Sequence, residues 1–291
     1  MTVFKTTNVP GAMNYKHWIL LWCVVTMTMV SCKDNERESG DVEEETNGEA
    51  PATPKQLTYS FVGTLPHDTT SFTEGLLIHE GKLYESTGSP EDMPNTRSVF
   101  GEVDKATGKI EVKAELDRRQ YFGEGITFLN GKVYMLTYET KIGFIYDAKT
   151  FRKVGEFRFP SKEGWGMTTD GTHLIMSDGT SSLTWLEPGT FRTVKTLEVT
   201  DERGPVKYLN ELEYIKGSIY ANAYTTNTIV KIDPESGKVT GRLDLTKLAQ
   251  QAEAKYHGSL EMNGIAYDPA DNTIYFTGKM WPYIFKISVA D

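Results

Sequence analysis

From Leu57 onward, apolar and polar residues alternate in short runs, and turn-forming residues separate the runs about every 8 to 12 positions. An alternation with period two is typical of β-strands that bury one face. The nearest approach to a helical pattern is Leu245–Tyr256, where we expect a short helix within a loop. The pattern therefore predicts an all-β domain.

The strand pattern repeats five times along this domain. Each repeat opens with a short motif at the start of its first strand, and these motifs begin at Glu74, Glu124, Trp165, Asn210 and Asn263. The turns Asp104–Lys109 and Asp233–Lys238 are expected to join the two outer strands of their repeats. Four strands in about 45 residues is the period of a propeller blade. The five repeats therefore predict a five-bladed β-propeller, whose radial closure leaves few free strand edges.

The last repeat provides only three strands, because the chain ends soon after Tyr283–Ile287. Leu57–Leu65 has the alternation of a strand but no repeat of its own. We expect this N-terminal strand to become the outer strand of the last blade and so to close the ring. The alternative is a frayed N-terminal arm. The propeller domain is thus predicted to span residues 57–291.

The first 32 residues have the features of a lipoprotein signal peptide. Lys16 and His17 precede the uncharged run Trp18–Val30. A run of about 13 residues is too short to span a bilayer and has the length of a secretory signal. It ends in a sequence that resembles a bacterial lipobox, which predicts lipidation of Cys32. The alternative is an uncleaved membrane anchor. We expect a lipid-anchored protein of the bacterial cell envelope, either periplasmic or surface-exposed on the outer membrane.

Residues 33–56 are predicted to be a disordered acidic tether. Lys33–Ala50 contains eight acidic and two basic residues, and Val42 is its one branched apolar residue. Such a segment cannot bury enough apolar surface to fold. It also carries most of the formal net charge of −9, so the domain itself is only mildly acidic. Without a basic stripe, a nucleic-acid partner is not expected. We expect a monomer that contacts the membrane through its lipid anchor only.

Cysteine and histidine usage narrows the chemistry of the domain. The two cysteines are Cys23 and Cys32, both ahead of the domain, so disulfides and thiol catalysis are excluded within it. The histidines after Cys32 are scattered, with no pair at metal-ligand spacing. We therefore expect neither a metal nor another cofactor.

Polar and aromatic residues occupy the equivalent position at the start of each repeat. The five loops ahead of the inner strands should meet at one end of the central channel. There they would gather two carboxylates, two amides and an indole, which are Glu74, Glu124, Asn210, Asn263 and Trp165. Because unpaired buried carboxylates are costly, this mixture favours a functional site. The alternative is the polar lining of a water-filled channel.

Seven motifs, in order along the chain, resemble those of the plant-type glutaminyl cyclases. They are Phe72–Leu77, Phe122–Thr127, Gly164–Met167, Ser177–Ser181, Leu209–Tyr214, Asn263–Ala266 and Thr277–Pro282. The resemblance implies an enzyme that converts the N-terminal glutamine of a peptide or protein to pyroglutamate and releases ammonia. It also implies a metal-independent mechanism, since this family is unrelated to the zinc-dependent animal-type cyclases.

The same resemblance implies roles for individual residues. Glu124 corresponds to the proposed general acid and base, and Lys279 and Asn210 are carried over as catalytic residues. The residues expected to bind substrate are Glu74, Phe72, Phe122, Trp165, Tyr224 and Asn263. Glu74 stands where plant members have glutamine, and Tyr224 stands where they have tryptophan. Some bacterial members have glutamate at the position of Glu74, whereas the departure at Tyr224 leaves the pocket size and the side-chain preference open.

Two other functions are compatible with parts of the pattern. Glu74 and Glu124 could serve as the paired carboxylates of a propeller glycoside hydrolase. Alternatively, the propeller could bind a ligand without catalysis. The motifs around Trp165 and Asn210 favour a cyclase over a glycosidase. The presence of Glu124 and Lys279 in their motifs argues against a non-catalytic protein.

Overall fold

The computed structural model describes residues Thr53–Ala290. The predicted signal peptide with Cys32, and the predicted tether up to residue 52, lie outside the described residues. Five sheets, each built on four antiparallel strands, serve as the blades of a propeller in the described chain. The prediction of an all-β, five-bladed propeller is therefore confirmed.

The described chain begins with two strands, which are followed by the first three blades. The N-terminal strands are β1 (Lys55–Gln56) and β2 (Tyr59–Pro66). Blade one consists of β3 (Phe72–His79), β4 (Lys82–Gly88), β5 (Val99–Val103) and β6 (Ile110–Glu115). Blade two consists of β7 (Gly123–Leu129), β8 (Lys132–Thr137), β9 (Ile142–Asp147) and β10 (Lys153–Arg158). Blade three consists of β11 (Met167–Thr169), β12 (Leu174–Met176), β13 (Ser182–Leu186) and β14 (Thr193–Glu198).

A small hairpin precedes blade four, and a helix connects blade four to blade five. The hairpin, β15 (Thr200–Asp201) and β16 (Gly204–Pro205), was not predicted. Blade four consists of β17 (Leu209–Ile215), β18 (Ser218–Ala223), β19 (Thr228–Ile232) and β20 (Val239–Asp244). The helix α1 (Thr246–Lys255) lies within the segment expected to be helical. Blade five then contributes β21 (Met262–Asp268), β22 (Thr273–Gly278) and β23 (Tyr283–Val289).

The connections agree with the local sequence signals. The turn Asp104–Lys109 joins β5 to β6, and the turn Asp233–Lys238 joins β19 to β20, as predicted. In each turn the amide of the aspartate donates to the carbonyl of the lysine, at 2.9 Å. Helix α1 packs on the core through Leu248 and Ala252. In the part of the chain from 53 to 290, no helix is both long and apolar enough to cross a bilayer.

The first strands of the five blades form a ring around the central channel. The contacts run from β3 to β7, β11, β17, β21 and back to β3. Neighbouring blades bury apolar side chains between them, among which a tyrosine recurs in the second strand of four blades: Tyr84, Tyr134, Tyr220 and Tyr275. Because every inner strand begins at the same end of the ring, the five motifs meet at that end.

The N-terminal strand closes the ring as expected. Strand β2 pairs antiparallel with β23, from Tyr59 opposite Val289 to Pro66 opposite Tyr283. His67 follows directly and joins the closing strand to two blades. Its Nδ1 lies 2.7 Å from the Trp281 carbonyl oxygen in blade five, and its Nε2 lies 3.0 Å from Glu85 Oε1 in blade one. Burial lowers the pKa of His67, but the charge and hydrogen bond of Glu85, the hydrogen bond to Trp281 and the charge of Asp68 together raise it overall.

The folded part begins before the predicted end of the tether at Gln56. Strand β1 pairs in parallel with β20, with Lys55 opposite Gly241. The Leu57 amide also donates to the Arg242 carbonyl oxygen at 2.8 Å. Leu57 is buried against Gly241, where an added Cβ would lie only 3.0 Å from the leucine side chain. The free edge of blade four thus orders residues that the local composition assigns to the tether.

Candidate active site

A bulge at the start of the inner strands aims the motif residues into the channel. The strand register shifts here in four blades, between Thr73 and Gly75 in blade one and between Leu209 and Leu212 in blade four, for example. Bulges of this kind redirect side chains and are common beside active sites. The residue after the motif position is glycine in four blades: Gly75, Gly125, Gly166 and Gly264.

These glycines allow the inner strands to approach one another closely. A Cβ on Gly166 would lie 2.1 Å from the Asn210 carbonyl oxygen, and one on Gly125 would lie 2.5 Å from the Met167 nitrogen. Blade four instead carries Glu211 at this position. Its carboxylate accepts the amide hydrogens of Leu76, at 3.1 Å, and Ile265, at 2.7 Å. Glu211 therefore bridges blade four to blades one and five beneath the motif residues.

A cavity of about 280 Å³ opens above this ring. Eight of the nine predicted catalytic and substrate-binding residues line it, together with Pro90 and Tyr138. The lining residues are Phe72, Glu74, Pro90, Phe122, Glu124, Tyr138, Trp165, Asn210, Tyr224 and Lys279. The structure thus brings together residues from all five blades or the loops between them.

Lys279 supplies a buried positive charge to the cavity. Its Nζ lies 2.6 Å from Glu74 Oε1 and 4.4 Å from the centre of the Phe72 ring. Burial lowers the pKa of Lys279, but Glu74 and Glu124 raise it more, so the ammonium group stays protonated. The backbone is held as well, because the Lys279 amide donates to the Glu261 carbonyl oxygen at 2.9 Å.

Glu74 is a fully engaged carboxylate. One oxygen contacts Lys279, and the other accepts a hydrogen bond from Asn263 Nδ2 at 3.0 Å. Asn263 Nδ2 also lies 3.1 Å from the Thr73 carbonyl oxygen. Burial raises the pKa of Glu74, while Lys279 counteracts the rise.

The structure places Asn263 differently from the other predicted substrate-binding residues, and its role in binding stays a prediction. Asn263 lies behind Glu74 and does not line the cavity. The repeat places the asparagine at the channel, but the neighbouring strand of blade one offers its amide two acceptors, and these turn it away from the opening. Its amide hydrogen bond instead fixes one oxygen of Glu74.

Glu124 differs from Glu74 because its carboxyl group makes no hydrogen bond to another residue within 53–290. The residue is 5% exposed and lies in the cavity wall. Its backbone is fixed, since the Glu124 carbonyl oxygen accepts the Ser86 hydroxyl at 2.8 Å. Burial and then the charge of Glu74 raise the pKa of Glu124 well above the usual value, against the opposing charge of Lys279. A buried carboxyl whose pKa is raised by its surroundings is typical of groups that transfer protons at functional sites.

Asn210 presents an amide with an unused acceptor. It is 3% exposed, and its Oδ1 has no hydrogen-bond partner among the described residues. Its carbonyl oxygen accepts the Ser177 hydroxyl at 2.7 Å, which fixes the main chain. A buried polar atom without a partner requires an explanation, and here the adjoining cavity provides one.

Aromatic rings form the remaining walls. Phe72 and Phe122 meet edge to face with ring centres 6.0 Å apart, and Phe122 lies at the same distance from Tyr138. On the opposite side, Trp165 and Tyr224 meet edge to face at 5.6 Å. The cavity is therefore a mostly apolar slot with a charged floor, the usual composition of a small-molecule pocket.

The sequence reasoning missed Tyr138, although the repeat contained the signal. Tyr138 directly follows strand β8, as Tyr224 follows β18 and Lys279 follows β22. All three positions line the cavity. Aligning the ends of the second strands, as well as the starts of the first, would have found it. Pro90, on a long loop of blade one, has no counterpart of this kind.

No group of three or more His, Cys, Asp or Glu residues that could hold a metal ion is found within 53–290. The titratable groups of the cavity are instead two carboxyls, one ammonium and two phenols.

The fold and the cavity define a class of protein: a five-bladed propeller with a buried carboxyl pair and a lysine at one end of its channel. Residues 25–289 match the sequence model of the glutamine cyclotransferase family. The chain is also 37% identical over 230 residues to a glutaminyl-peptide cyclotransferase of Arabidopsis thaliana, covering 78% of this chain and 70% of the relative. This chain therefore belongs to the glutamine cyclotransferase family, as the motifs implied.

A solved structure supports the same assignment. The crystal structure of Myxococcus xanthus glutaminyl cyclase superimposes with a TM-score of 0.73 at 29% sequence identity. The match covers 82% of this chain and 100% of that chain. The similarity therefore extends over the whole propeller.

Proposed function

We propose that this protein is a glutaminyl-peptide cyclotransferase, which converts the N-terminal glutamine of a peptide or protein to pyroglutamate and releases ammonia. Membership of the family supports the activity. The observation that carries the mechanism is the carboxyl group of Glu124, which is buried in the cavity wall, has a raised pKa and contacts no other described side chain by a hydrogen bond. It is available to the substrate.

The reaction is an intramolecular acyl transfer. The α-amine of the substrate attacks its own γ-carboxamide carbon, a C–N bond closes the ring, and the bond to the amide nitrogen breaks. Because the nucleophile is already tethered, no covalent enzyme intermediate is needed. The amine loses a proton and the leaving NH₂ gains one. Glu124 is proposed to accept the first proton and deliver it to the leaving group.

The tetrahedral intermediate places negative charge on the former amide oxygen. Lys279 and Asn210 are both directed into the cavity and can donate hydrogen bonds to this oxygen. A preorganised donor of this type contributes about 3 kcal/mol to transition-state stabilisation. The aromatic walls exclude water from the reacting groups and contact the methylene groups of the glutaminyl side chain.

This set of groups supports a metal-independent mechanism, because Lys279 and Asn210 supply the polarisation that a metal would otherwise provide. We expect turnover by the purified protein to be unchanged after dialysis against EDTA. Loss of turnover with EDTA, followed by recovery on addition of zinc, would contradict this part of the proposal.

The contacts of Glu74 favour a cyclase over a glycoside hydrolase. The glycosidase reading requires two carboxyls that both reach the sugar. In Glu74, however, one oxygen contacts Lys279 and the other accepts a hydrogen bond from Asn263. Of these two carboxyls, Glu124 is the one whose oxygens make no hydrogen bond within residues 53–290, so it is free to exchange a proton with a substrate.

We also propose that Cys32 is lipidated and that a monomeric propeller is tethered to the cell envelope by the acidic segment. The lipobox-like sequence and the composition of residues 33–50 support this location. Cys32→Ser should abolish incorporation of labelled palmitate and release the protein from the membrane fraction. Unchanged labelling would contradict lipidation at this residue.

The activity itself is tested with the purified protein and a dipeptide that begins with glutamine. We expect ammonia release that matches, mole for mole, the formation of the cyclised peptide in mass spectrometry. A dipeptide that begins with asparagine is the matched control, since its shorter side chain cannot form the same ring. Absence of turnover with a series of glutamine-initiated peptides would contradict the proposed function.

A further inference from the structure

Three backbone hydrogen bonds hold the main chain at Trp165 and Gly164. The Trp165 amide donates to the Ser177 carbonyl oxygen at 3.1 Å, and the Trp165 carbonyl oxygen accepts the Gly125 amide at 2.8 Å. The preceding Gly164 amide donates to the Tyr138 carbonyl oxygen at 2.8 Å. These bonds tie the segment to blades two and three. With its main chain held, the position of the Trp165 indole depends on the two side-chain torsions of this residue.

Three contacts define those torsions. Gly179 lies against the indole, and a Cβ there would approach it to 2.6 Å. The ring of Tyr224 meets the indole edge to face. The third contact is polar: Trp165 Nε1 donates to Glu163 Oε2 at 3.0 Å. A hydrogen bond to a charged acceptor is the most directional of the three.

Glu163 does not line the cavity, yet its charge reaches groups that do. Burial, and after it the charge of Glu163, raises the pKa of Tyr138. Glu163 also adds to the rise in the pKa of Glu124, after burial and the charge of Glu74. Glu163 thus lies close to both Trp165 and Tyr138.

We propose that Glu163 is a positioning residue that holds the Trp165 indole in place and thereby sets the affinity of the cavity for the glutaminyl side chain. The role rests on the proposed cyclotransferase function. Glu163 has a second, separable effect through its charge, because a negative charge near Glu124 keeps that carboxyl protonated to higher pH. The two effects can be separated, since glutamine keeps a hydrogen-bond acceptor but loses the charge.

The test compares Glu163→Ala with Glu163→Gln in the full chain. Glu163→Ala should raise KM by about tenfold with a smaller change in kcat, because a lost hydrogen bond to a charged group releases the indole. Glu163→Gln should restore KM to within about threefold of wild type, since its Oε1 can accept the same bond. Glu198→Ala, on the exposed surface of β14 in the same blade, should leave KM unchanged.

The charge effect has its own readout. The charged and titratable groups that face Glu124 are Glu74, Lys279, Glu163, Tyr138 and Tyr224. Removing the charge of Glu163 while the others remain should lower the pKa of Glu124. The rise of kcat/KM with pH should therefore occur at lower pH in Glu163→Gln than in wild type. A merely structural role would leave this profile in place.

Acrylamide quenching of tryptophan fluorescence tests the positioning without catalysis. The component of the signal that Trp165→Phe removes should be quenched more strongly in Glu163→Ala than in Glu163→Gln or wild type. Equal quenching and equal KM in all three proteins would overturn the proposal. An inactive wild-type enzyme would instead refute the proposed function, and the quenching comparison would still decide whether Glu163 holds the indole.

Discussion

At the scale of single residues, the two carboxyls of the cavity have divided roles. Glu74 is held on both oxygens, by Lys279 and by Asn263. Glu124 is buried with a raised pKa and its carboxyl faces the cavity. Neighbouring carboxyls with different environments commonly take different catalytic roles. We therefore propose that Glu124 transfers the protons and that the charge of Glu74 raises the pKa of Glu124.

Replacing Glu124 by glutamine tests the proton-transfer role directly. The amide keeps the shape of the side chain and cannot exchange the proton. We expect kcat to fall by about 10²- to 10⁴-fold, the usual contribution of a general acid or base, with the melting temperature close to that of wild type. Steady-state kinetics and thermal unfolding measure the two. Retention of more than about a tenth of the activity in a folded variant would exclude the role.

Replacing Glu74 by glutamine tests its effect on Glu124. Glu74 raises the pKa of Glu124 by charge repulsion, so the neutral amide should lower that pKa. The freed charge of Lys279 acts in the same direction. Since Glu124 must be ionised to accept the proton of the amine, the rise of kcat/KM with pH should move to lower pH.

The matched control for Glu74→Gln is Glu102→Gln, which removes one negative charge from the surface of blade one. Its profile should coincide with that of wild type. A Glu74→Gln profile that stays in place, or moves to higher pH, would contradict the electrostatic coupling of the two carboxyls.

At the scale of the elements, blade four breaks the pattern of the inner strands. Strand β17 carries Glu211 and Glu213, whose carboxylates accept amide hydrogens of neighbouring blades. Glu213 Oε1 lies 3.0 Å from the Tyr267 amide nitrogen in blade five. Burial raises the pKa of Glu213 to about 8, against the opposing effect of this bond. The contribution of Glu213 to the free energy of unfolding therefore depends on pH.

The sign of that dependence predicts the behaviour of Glu213→Gln. The folded state holds the Glu213 proton more tightly than the unfolded state, in which a glutamate titrates near its usual pKa of about 4.3. The stability due to this proton is fully present below that value and is lost as the pH rises toward 8. The glutamine keeps the acceptor for Tyr267 without the ionisation.

We therefore expect the free energy of unfolding of Glu213→Gln, relative to wild type, to increase between pH 5 and pH 8, by on the order of 2 kcal/mol. Urea unfolding at the two pH values measures it. Glu198→Gln, on the exposed edge of blade three, should show no such gain. A constant difference between Glu213→Gln and wild type would show that Glu213 titrates normally in the folded protein.

At the scale of the whole molecule, the N-terminal segment holds the ring together. Strand β1 extends blade four, and strand β2 supplies the outer strand of blade five. His67 then contacts blades five and one through its two ring nitrogens. The segment from Lys55 to His67 thus contacts blades four, five and one.

Two truncations test this closure. A chain that begins at Thr53 keeps β1, β2 and His67, and it should melt and turn over like the full-length protein. A chain that begins at His67 lacks both strands and exposes the edge of β23. It should melt at a lower temperature and lose activity, because blade five carries Lys279. Equal melting temperatures and equal kcat for the two chains would show that the ring closes without β2.

The number of blades, their order and the loops that meet at the channel opening were predictable from the sequence alone. These features follow from local alternation and from a repeat, both of which are read one segment at a time. The closing strand at Leu57–Leu65 was predictable for the same reason, since one repeat lacked a strand and one strand lacked a repeat. Eight cavity residues were also identified, through motifs that the resemblance made specific.

The tertiary structure decided what each of those residues contacts. Asn263 turns behind Glu74, Tyr138 enters the cavity, and residues 55–56 join the edge of blade four. The raised pKa of Glu124 likewise depends on Glu74 from blade one and Lys279 from blade five. These properties arise where atoms from different blades meet. Residues 50 or more positions apart in the sequence determine them together, so no local pattern can contain them.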